Sequence, residues 1–249
     1  MTGNPGPASG SGVRFLNAGE TALVVEFGTT IDPAIHARVL ELDRALAAAP
    51  IEGLVEAVPT YRSLMIHYDP TRIEPQALVE RLQALPAAAS DAGAKARRWL
   101  VPACYAPECA PDLGAVAERL GLSQERVVAL HSGATYRIYM YGFAPGFAYL
   151  GGLSEALAIS RRATPRPRAE ASSLLIAGGQ ALITTVPMPT GWHVLGRTPE
   201  RFFSLDRDPV VLAAVGDEVR FEPVDATSFA ALTARAEAGE VIARIEGGD

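Results

Sequence analysis

The feature that most limits the fold of this chain is a change of patterning near its middle. Strand and helix patterns alternate in the first third, whereas short strand-like runs separated by Gly and Pro fill the second half. Between them the segment 86–95, PAAASDAGAK, is small, polar and rich in residues that end helices and strands. We therefore expect an α+β protein with two domains. The expected parts are a flexible leader over 1–12, a first domain over 13–95, a second over 96–226 and a helical tail over 227–249.

The first domain has the element order of a ferredoxin-like fold, β-α-β-β-α. A strand over Trp99–Cys104 is expected to close its sheet, and an extra strand over Val13–Leu16 is expected to pair at an edge. His36 is expected on a helix surface and His67 on a strand face. The other predicted strands are Leu23–Phe27, Leu54–Val58 and Ser63–Tyr68. The predicted helices begin at Pro33, which Asp32 caps, and at Pro75.

The second domain begins with two short helices, Asp112–Leu120 and Ser123–His131, and continues as many short strands. Strands at this turn-punctuated spacing predict a β-barrel or a β-sandwich. A last helix is expected over Thr227–Ile245. The predicted strands are Tyr136–Tyr141, Leu174–Ala177, Ala181–Val186, Trp192–Leu195, Arg201–Ser204 and Glu218–Glu222.

Composition and missing motifs exclude several classes of function. The net charge of −6 argues against a general nucleic-acid binder, and no apolar run is long enough to predict a membrane span. Lys95, the only lysine, does not follow a glycine-rich turn, so a phosphate-binding P-loop is absent. Cys104 and Cys109 are expected to be free thiols of a cytoplasmic protein. No sequence motif for a metal site is present.

Two segments carry aromatic and cationic side chains. The loop 141–152, YGFAPGFAYLGG, combines rings with glycines that allow a ligand to approach the backbone, although the same pattern suits rings that fill the mouth of a barrel. The segment 161–168, RRATPRPR, holds four arginines on a stiff, extended backbone. Guanidinium groups suit phosphate or carboxylate, while a solvated charge run is the alternative.

Two further segments carry amide and imidazole groups. In LIAGGQ a strand ends in Gly178 and Gly179, followed by Gln180, whose amide can both donate and accept hydrogen bonds. A β-bulge with a surface glutamine is the alternative. In GWHVLGR, Trp192 and His193 must face opposite sides of a strand. His193 is a candidate acid or base or a structural residue, and His131 is more consistent with a structural role.

Five motifs in order resemble the 5-oxoprolinase B subunit family, also called allophanate hydrolase subunit 1 or KipI. They are PTYRSLMIHYDP at 59–70, LHSGATYRIYMYGFAPGFAYLGGL at 130–153, RRATPRPR at 161–168, IAGGQ at 176–180 and GWHVLGRTP at 191–199. The resemblance covers about residues 13–224. It implies a small α+β domain followed by a cyclophilin-like β-barrel domain.

The resemblance also implies partners and an activity. A C-type subunit (allophanate hydrolase subunit 2) and a third, barrel-type subunit would act with this chain, using ATP to hydrolyse 5-oxoproline, a cyclic amide, to glutamate. The ATP would bind through the assembled complex, and no metal site, nucleic acid or membrane is implied. The resemblance leaves two alternatives. One is a carboxyltransferase-like subunit of a biotin-dependent urea or amide carboxylase, and the other is a KipI-like inhibitor of a histidine kinase.

The resemblance implies a set of catalytic residues and a set of substrate-binding residues, although one segment beside them differs from the family. The segment 169–190 departs from the family pattern, with Ala181-Leu182 after Gln180 and Thr190 before Gly191, so the exact substrate stays open. The implied catalytic residues are Gln180, Arg197 and His193, and the implied substrate-binding residues are Phe147, Tyr149, Arg161, Arg162, Arg166, Gly178, Gly179 and Trp192.

Overall fold

The computed structural model describes residues 12–85 and 96–247. The chain divides into two compact units, Met1–Lys95 and Ala96–Asp249. Nearly all of the predicted leader, and the breaker-rich segment 86–95, lie outside the described residues.

The first unit is a four-stranded antiparallel sheet in the order β1-β2-β4-β3, with one face covered by two helices. This is the predicted ferredoxin-like arrangement. Its elements are β1 (Arg14–Asn17), β2 (Ala22–Glu26), α1 (Pro33–Ala48), β3 (Leu54–Pro59), β4 (Ser63–Tyr68) and α2 (Pro75–Ala84).

Local signals explain where these elements begin and which faces they bury. Asp32 accepts hydrogen bonds from the backbone N–H groups of Ala34 and Ile35, which caps α1 as predicted. Leu64, Ile66 and the other alternate residues of β4 are buried against the helices, as the period of two requires.

Two predictions for this unit are wrong. His36 is fully buried, because it lies on the side of α1 that faces the sheet, next to Val39. The strand Arg98–Cys104 does not close this sheet and belongs to the second unit. Strand β1 takes the edge position beside β2, with Leu16 opposite Val24, so the place of a closing strand is already filled.

The second unit is a closed barrel of seven strands in the order β12-β9-β10-β7-β6-β13-β5. Arg197 of β12 pairs with Cys104 of β5 to complete the circle, and β5 runs parallel to β13. Its elements are β5 (Arg98–Cys104), α3 (Leu113–Leu120), α4 (Gln124–Ser132), β6 (Tyr136–Tyr141), β7 (Ala148–Gly151), β8 (Arg166–Ala169), β9 (Ser173–Ala177), β10 (Gln180–Ile183), β11 (Met188–Thr190), β12 (His193–Arg197), β13 (Glu218–Val224), α5 (Ala226–Glu237) and β14 (Arg244–Ile245).

The ends of the two short helices follow their sequence signals, whereas two later predictions are wrong. Ser123 caps α4, and Gly121 takes the left-handed conformation that ends α3. Residues 201–204 form no strand, only a single bridge between Phe203 and Val211. The C-terminal helix ends at Glu237, and the chain then extends into β14, which pairs with β5.

The barrel has an inner core and a separate apolar layer on its outer face. Leu174 and Ile176 of β9 lie in the inner core, whereas Leu175 and Ala177 of the same strand lie in the second cluster. Because alternate side chains of a strand point to opposite faces, the second cluster is outside the barrel. The two-stranded ribbon β8–β11 packs there through Ala169 and Met188. We call this second cluster the outer-face cluster.

Candidate functional site

The aromatic residues of the predicted loop and Trp192, which directly precedes β12, form one continuous row on the outer-face cluster. The ring centroids of Phe147 and Tyr149 are 5.4 Å apart, and those of Tyr149 and Trp192 are 6.5 Å apart. Phe147 and Trp192 are buried, while Tyr149 is half-buried. The rings therefore wall the outer surface and do not fill the mouth of the barrel.

The row ends in solvent at Phe143, which the sequence pattern did not single out. Its ring lies 5.5 Å from that of Phe147 and is 78% exposed. Its φ of 72° lies in the left-handed region, which is unusual for a bulky residue. The loop is held by a hydrogen bond from the Thr185 hydroxyl to the carbonyl of Pro145 at 2.6 Å. Strain of this kind is concentrated at functional sites.

At the other end of the row, Arg161 adds a positive charge. Its guanidinium carbon lies 5.8 Å from the centroid of the Trp192 ring, and its Cδ lies beside Gly191. Burial raises the pKa of the Tyr149 hydroxyl, and the charge of Arg161 acts in the opposite direction. Among the described residues, Arg161 makes no ion pair with a carboxylate. Arg161, Trp192 and Tyr149 thus form an aromatic surface with an uncompensated cation, which we call the cation–aromatic site.

The two glycines form the tip of the hairpin between β9 and β10, where Ala177 pairs with Gln180. Gly178 has a φ of 60°, as the first central residue of a type II′ turn does. A Cβ on Gly178 or Gly179 would meet nothing within 4 Å, so the hairpin tip is open. This two-residue turn is not the β-bulge that the sequence left as the alternative, and it leaves Gln180 half-buried at the start of β10.

The segment 159–162 connects three of the predicted motifs. The carbonyl of Ile159 accepts from the N–H of Gly178 at 2.6 Å, and the N–H of Arg162 donates to the carbonyl of Gly191 at 2.8 Å. The carbonyl of Ser160 lies 3.0 Å from Nε2 of His193. The arginine segment, the glycine hairpin and the GWHV motif therefore meet on one side of the barrel.

A residue that sequence reasoning missed, Asp112, holds two of the predicted arginines. Its Oδ1 accepts hydrogen bonds from Arg162 and from Arg166, the latter at 2.5 Å. Its Oδ2 accepts from the N–H of Val194 at 2.9 Å, and the residue is 2% exposed. The sequence showed only an aspartate at a helix start, which is the usual position of a cap. Here the side chain makes no capping bond and binds arginines far away in the chain.

Arg197 lies apart from the cation–aromatic site, whereas His193 directly follows Trp192 and contacts the carbonyl of Ser160, the neighbour of Arg161. His193 points to the other face of β12 from Trp192, as predicted, and is 5% exposed. Its Nδ1 is buried and has no hydrogen-bond partner among the residues that the structure describes. Arg197 donates to the carbonyl of Ala171 at 3.2 Å and lies 5.6 Å from the centroid of the Phe229 ring of α5. Four residues farther along β12, it is about 13 Å from His193.

One further histidine and both cysteines are buried within the barrel unit. Burial lowers the pKa of His131 to about 3, and its Nδ1 lies 2.8 Å from the hydroxyl of Tyr105. This agrees with a structural role. Cys104 and Cys109 are both buried free thiols, and burial raises the pKa of Cys109 to about 12. Within the described ranges, no group of three or more His, Cys, Asp and Glu side chains is placed to hold a metal ion.

None of the helices in the described parts of the chain is long and apolar enough to cross a membrane.

Comparisons with known proteins identify the relatives of this chain. It matches the family described as carboxyltransferase domain, subdomain C and D, over residues 13–213. It is 33% identical to the 5-oxoprolinase B subunit of Bacillus subtilis over 82% of this chain and 89% of that protein. It is 36% identical to the 5-oxoprolinase B subunit of Escherichia coli O157:H7 over 84% of this chain and 95% of that protein.

Solved structures show the same fold. The crystal structure of TTHA0988 is 37% identical with a TM-score of 0.73, covering 82% of this chain and 40% of that longer chain. The Kluyveromyces lactis urea carboxylase, at 18% identity, shares the fold with a TM-score of 0.74 over 94% of this chain and 24% of that one. By sequence and by fold, the chain belongs to the carboxyltransferase domain, subdomain C and D, family and to the 5-oxoprolinase B subunit family.

Proposed function

We propose that this chain is a subunit of an ATP-dependent 5-oxoprolinase, acting with a C-type subunit and a third, barrel-type subunit. The names of the curated relatives support the activity. The observation in this chain that carries the proposal is the cation–aromatic site beside an open glycine hairpin. The two buried free cysteines support a reducing, cytoplasmic setting for such a complex.

The cation–aromatic site fits the chemistry of 5-oxoproline. This substrate carries a carboxylate, a lactam N–H and C=O, and a small apolar ring. The uncompensated guanidinium of Arg161 is suited to the carboxylate, and the face of Trp192 is suited to the ring. Gln180, at the foot of the open hairpin, can donate to the lactam oxygen and accept from the lactam N–H.

The reaction needs more positive charge than this site offers alone. A lactam is a poor electrophile, and transfer of the ATP γ-phosphoryl group to its oxygen lets water add to the carbon and the C–N bond break. The overall reaction consumes 5-oxoproline, ATP and two waters and yields glutamate, ADP and phosphate. Cations must stabilise the transferring group, yet Arg162 and Arg166 are already bound to Asp112. This supports a nucleotide site completed by the partner subunits.

A second candidate is a carboxyltransferase-like subunit of a biotin-dependent urea or amide carboxylase. The description of the matched family favours it. In that case the cation–aromatic site would hold the amide acceptor, and a biotin carrier would deliver the carboxyl group. The two functions differ in their co-substrates, because only the first releases ADP in the absence of biotin and bicarbonate.

The test is reconstitution with purified subunits. The chain is copurified with its C-type partner protein, the third subunit is added, and 5-oxoproline-dependent ADP release is followed. We expect turnover only with all three subunits, ATP and 5-oxoproline present. An intact complex that is inactive on 5-oxoproline, but carboxylates urea when a biotin carboxylase, a biotin carrier, ATP and bicarbonate are supplied, would replace the first function by the second. Failure to form any complex would contradict both and favour a stand-alone, KipI-like binding protein.

A further inference from the structure

We infer that Asp112 is a positioning residue that holds Arg161 against Trp192 in the cation–aromatic site. This inference rests on the proposed function for its meaning in catalysis, but the geometry it predicts can be measured in the isolated chain. Asp112 itself does not line the site, since it is 2% exposed and its oxygens are all directed at protein groups.

Asp112 is fixed to β12 at two points. Its backbone N–H donates to the carbonyl of Val194 at 3.2 Å, and its Oδ2 accepts from the N–H of the same residue at 2.9 Å. Val194 is two residues from Trp192, so the two side chains share the outer face about 7 Å apart. The carboxylate is therefore anchored to the strand that directly follows Trp192.

The other carboxylate oxygen of Asp112 holds the arginine segment at two positions. Arg162 and Arg166 both donate to Oδ1, and the three residues between them include Pro165. Arg162 is the immediate neighbour of Arg161, one Cα–Cα step of about 3.8 Å away. One carboxylate thus ties the residue next to Arg161 to the strand that directly follows Trp192.

The carboxylate of Asp112 also offsets the positive charge of the arginine segment. The segment 161–166 carries three arginines, and the buried carboxylate of Asp112 is the described group that neutralises part of this charge. Without the carboxylate of Asp112, Arg162 and Arg166 would repel Arg161 and could pair with other anions. The backbone bond from Arg162 to Gly191 at 2.8 Å would remain, so the segment should shift and not detach.

The spectroscopic test uses Trp192 as the reporter. In a Trp99→Phe background Trp192 is the sole tryptophan, and its emission senses the guanidinium above the ring. We expect Asp112→Asn to change the emission in the same direction as Arg161→Ala. We also expect the double variant to match Arg161→Ala alone, because Asp112 acts through Arg161. Asn keeps an acceptor for Val194, and circular dichroism confirms that each variant is folded.

The matched control is Glu170→Gln, which removes the carboxylate that pairs with Arg168 in the neighbouring strand β8. It should leave Trp192 emission unchanged. A folded Asp112→Asn protein with wild-type emission, or an effect that persists undiminished in the Arg161→Ala background, would overturn the inference.

The kinetic test uses the reconstituted complex. We expect Asp112→Asn to lower kcat/KM for 5-oxoproline by about tenfold to a hundredfold, the usual cost of misplacing a binding group by about 1 Å. The loss should disappear in the Arg161→Ala background. If the complex proves inactive on 5-oxoproline, the proposed function fails, while the emission cycle still decides the role of Asp112.

Discussion

Lowering the pH from 7 to 5 should destabilise the barrel unit through one buried histidine. His131 is fully buried on α4, stacked on Phe221 at a centroid distance of 5.0 Å. The other groups facing it are the hydroxyl-bearing rings of Tyr105 and Tyr136, whose pKa values burial raises, so both stay uncharged. Burial lowers the pKa of His131 to about 3, so the folded protein keeps it neutral at pH 5.

The sign and size of the expected change in the free energy of unfolding follow from proton linkage. In the unfolded chain the histidine has a pKa of about 6.5, so below that pH only the unfolded state takes up the proton and gains stability. At about 1.4 kcal/mol per pH unit, the free energy of unfolding should fall by about 2 kcal/mol between pH 7 and pH 5. Carboxyl groups titrate mostly below this window and contribute little.

The assay is urea unfolding followed by tryptophan fluorescence, because Trp99 and Trp192 both lie in the barrel unit. We compare the wild type with His131→Phe, which keeps a ring against Phe221 and removes the titrating group. His67→Gln, in the first unit, is the control and should retain the wild-type pH dependence of the barrel transition. Equal losses in the wild type and His131→Phe between pH 7 and 5 would refute the reasoning.

Three further outcomes are expected. Gly178→Ala should lower the free energy of unfolding in urea by about 1 kcal/mol, because the φ of Gly178 is 60°. Gly179→Ala should leave the stability unchanged and lower turnover of the reconstituted complex. Equal stability losses in the two variants would contradict the open hairpin tip. Asp112→Ala should cost about 3 kcal/mol in the same assay, at the low end for a buried ion pair because both arginines are partly exposed; a loss below about 1 kcal/mol would contradict its role. Cys104 and Cys109 should resist a thiol reagent at pH 8 in the native protein and react after unfolding, and rapid native labelling would contradict their burial.

Local sequence signals predicted the helix ends and the buried strand faces that depend on interactions between neighbouring residues. Capping by Asp32 and Ser123, and the left-handed Gly121, depend only on neighbouring residues. The alternation through Leu64 and Ile66 identified the buried face of β4. The motif order also placed the aromatic, arginine and glycine segments in one protein region, which the structure brings together around residues 159–162.

What the sequence could not predict depends on long-range pairing. The pattern of Trp99–Cys104 identifies a strand but not its partner, which is β13 more than a hundred residues away. Nothing local distinguishes Asp112 from an ordinary cap, because its partners Arg162 and Arg166 lie 50 and 54 residues later. Arg197 was grouped with the site by its motif, although its side chain contacts Ala171 and α5 at the other end of β12.

The central claim is that the cation–aromatic site serves a 5-oxoprolinase reaction, and two arginines of the same segment test it most directly. Arg161 is uncompensated above Trp192, whereas Arg168 is exposed and paired with Glu170. We would measure 5-oxoproline-dependent ADP release by the reconstituted complex carrying Arg161→Ala or Arg168→Ala. The account predicts that Arg161→Ala sharply lowers turnover in an intact complex, leaving a measurable residual rate, and that Arg168→Ala retains full turnover. Full activity of the Arg161→Ala complex would contradict it.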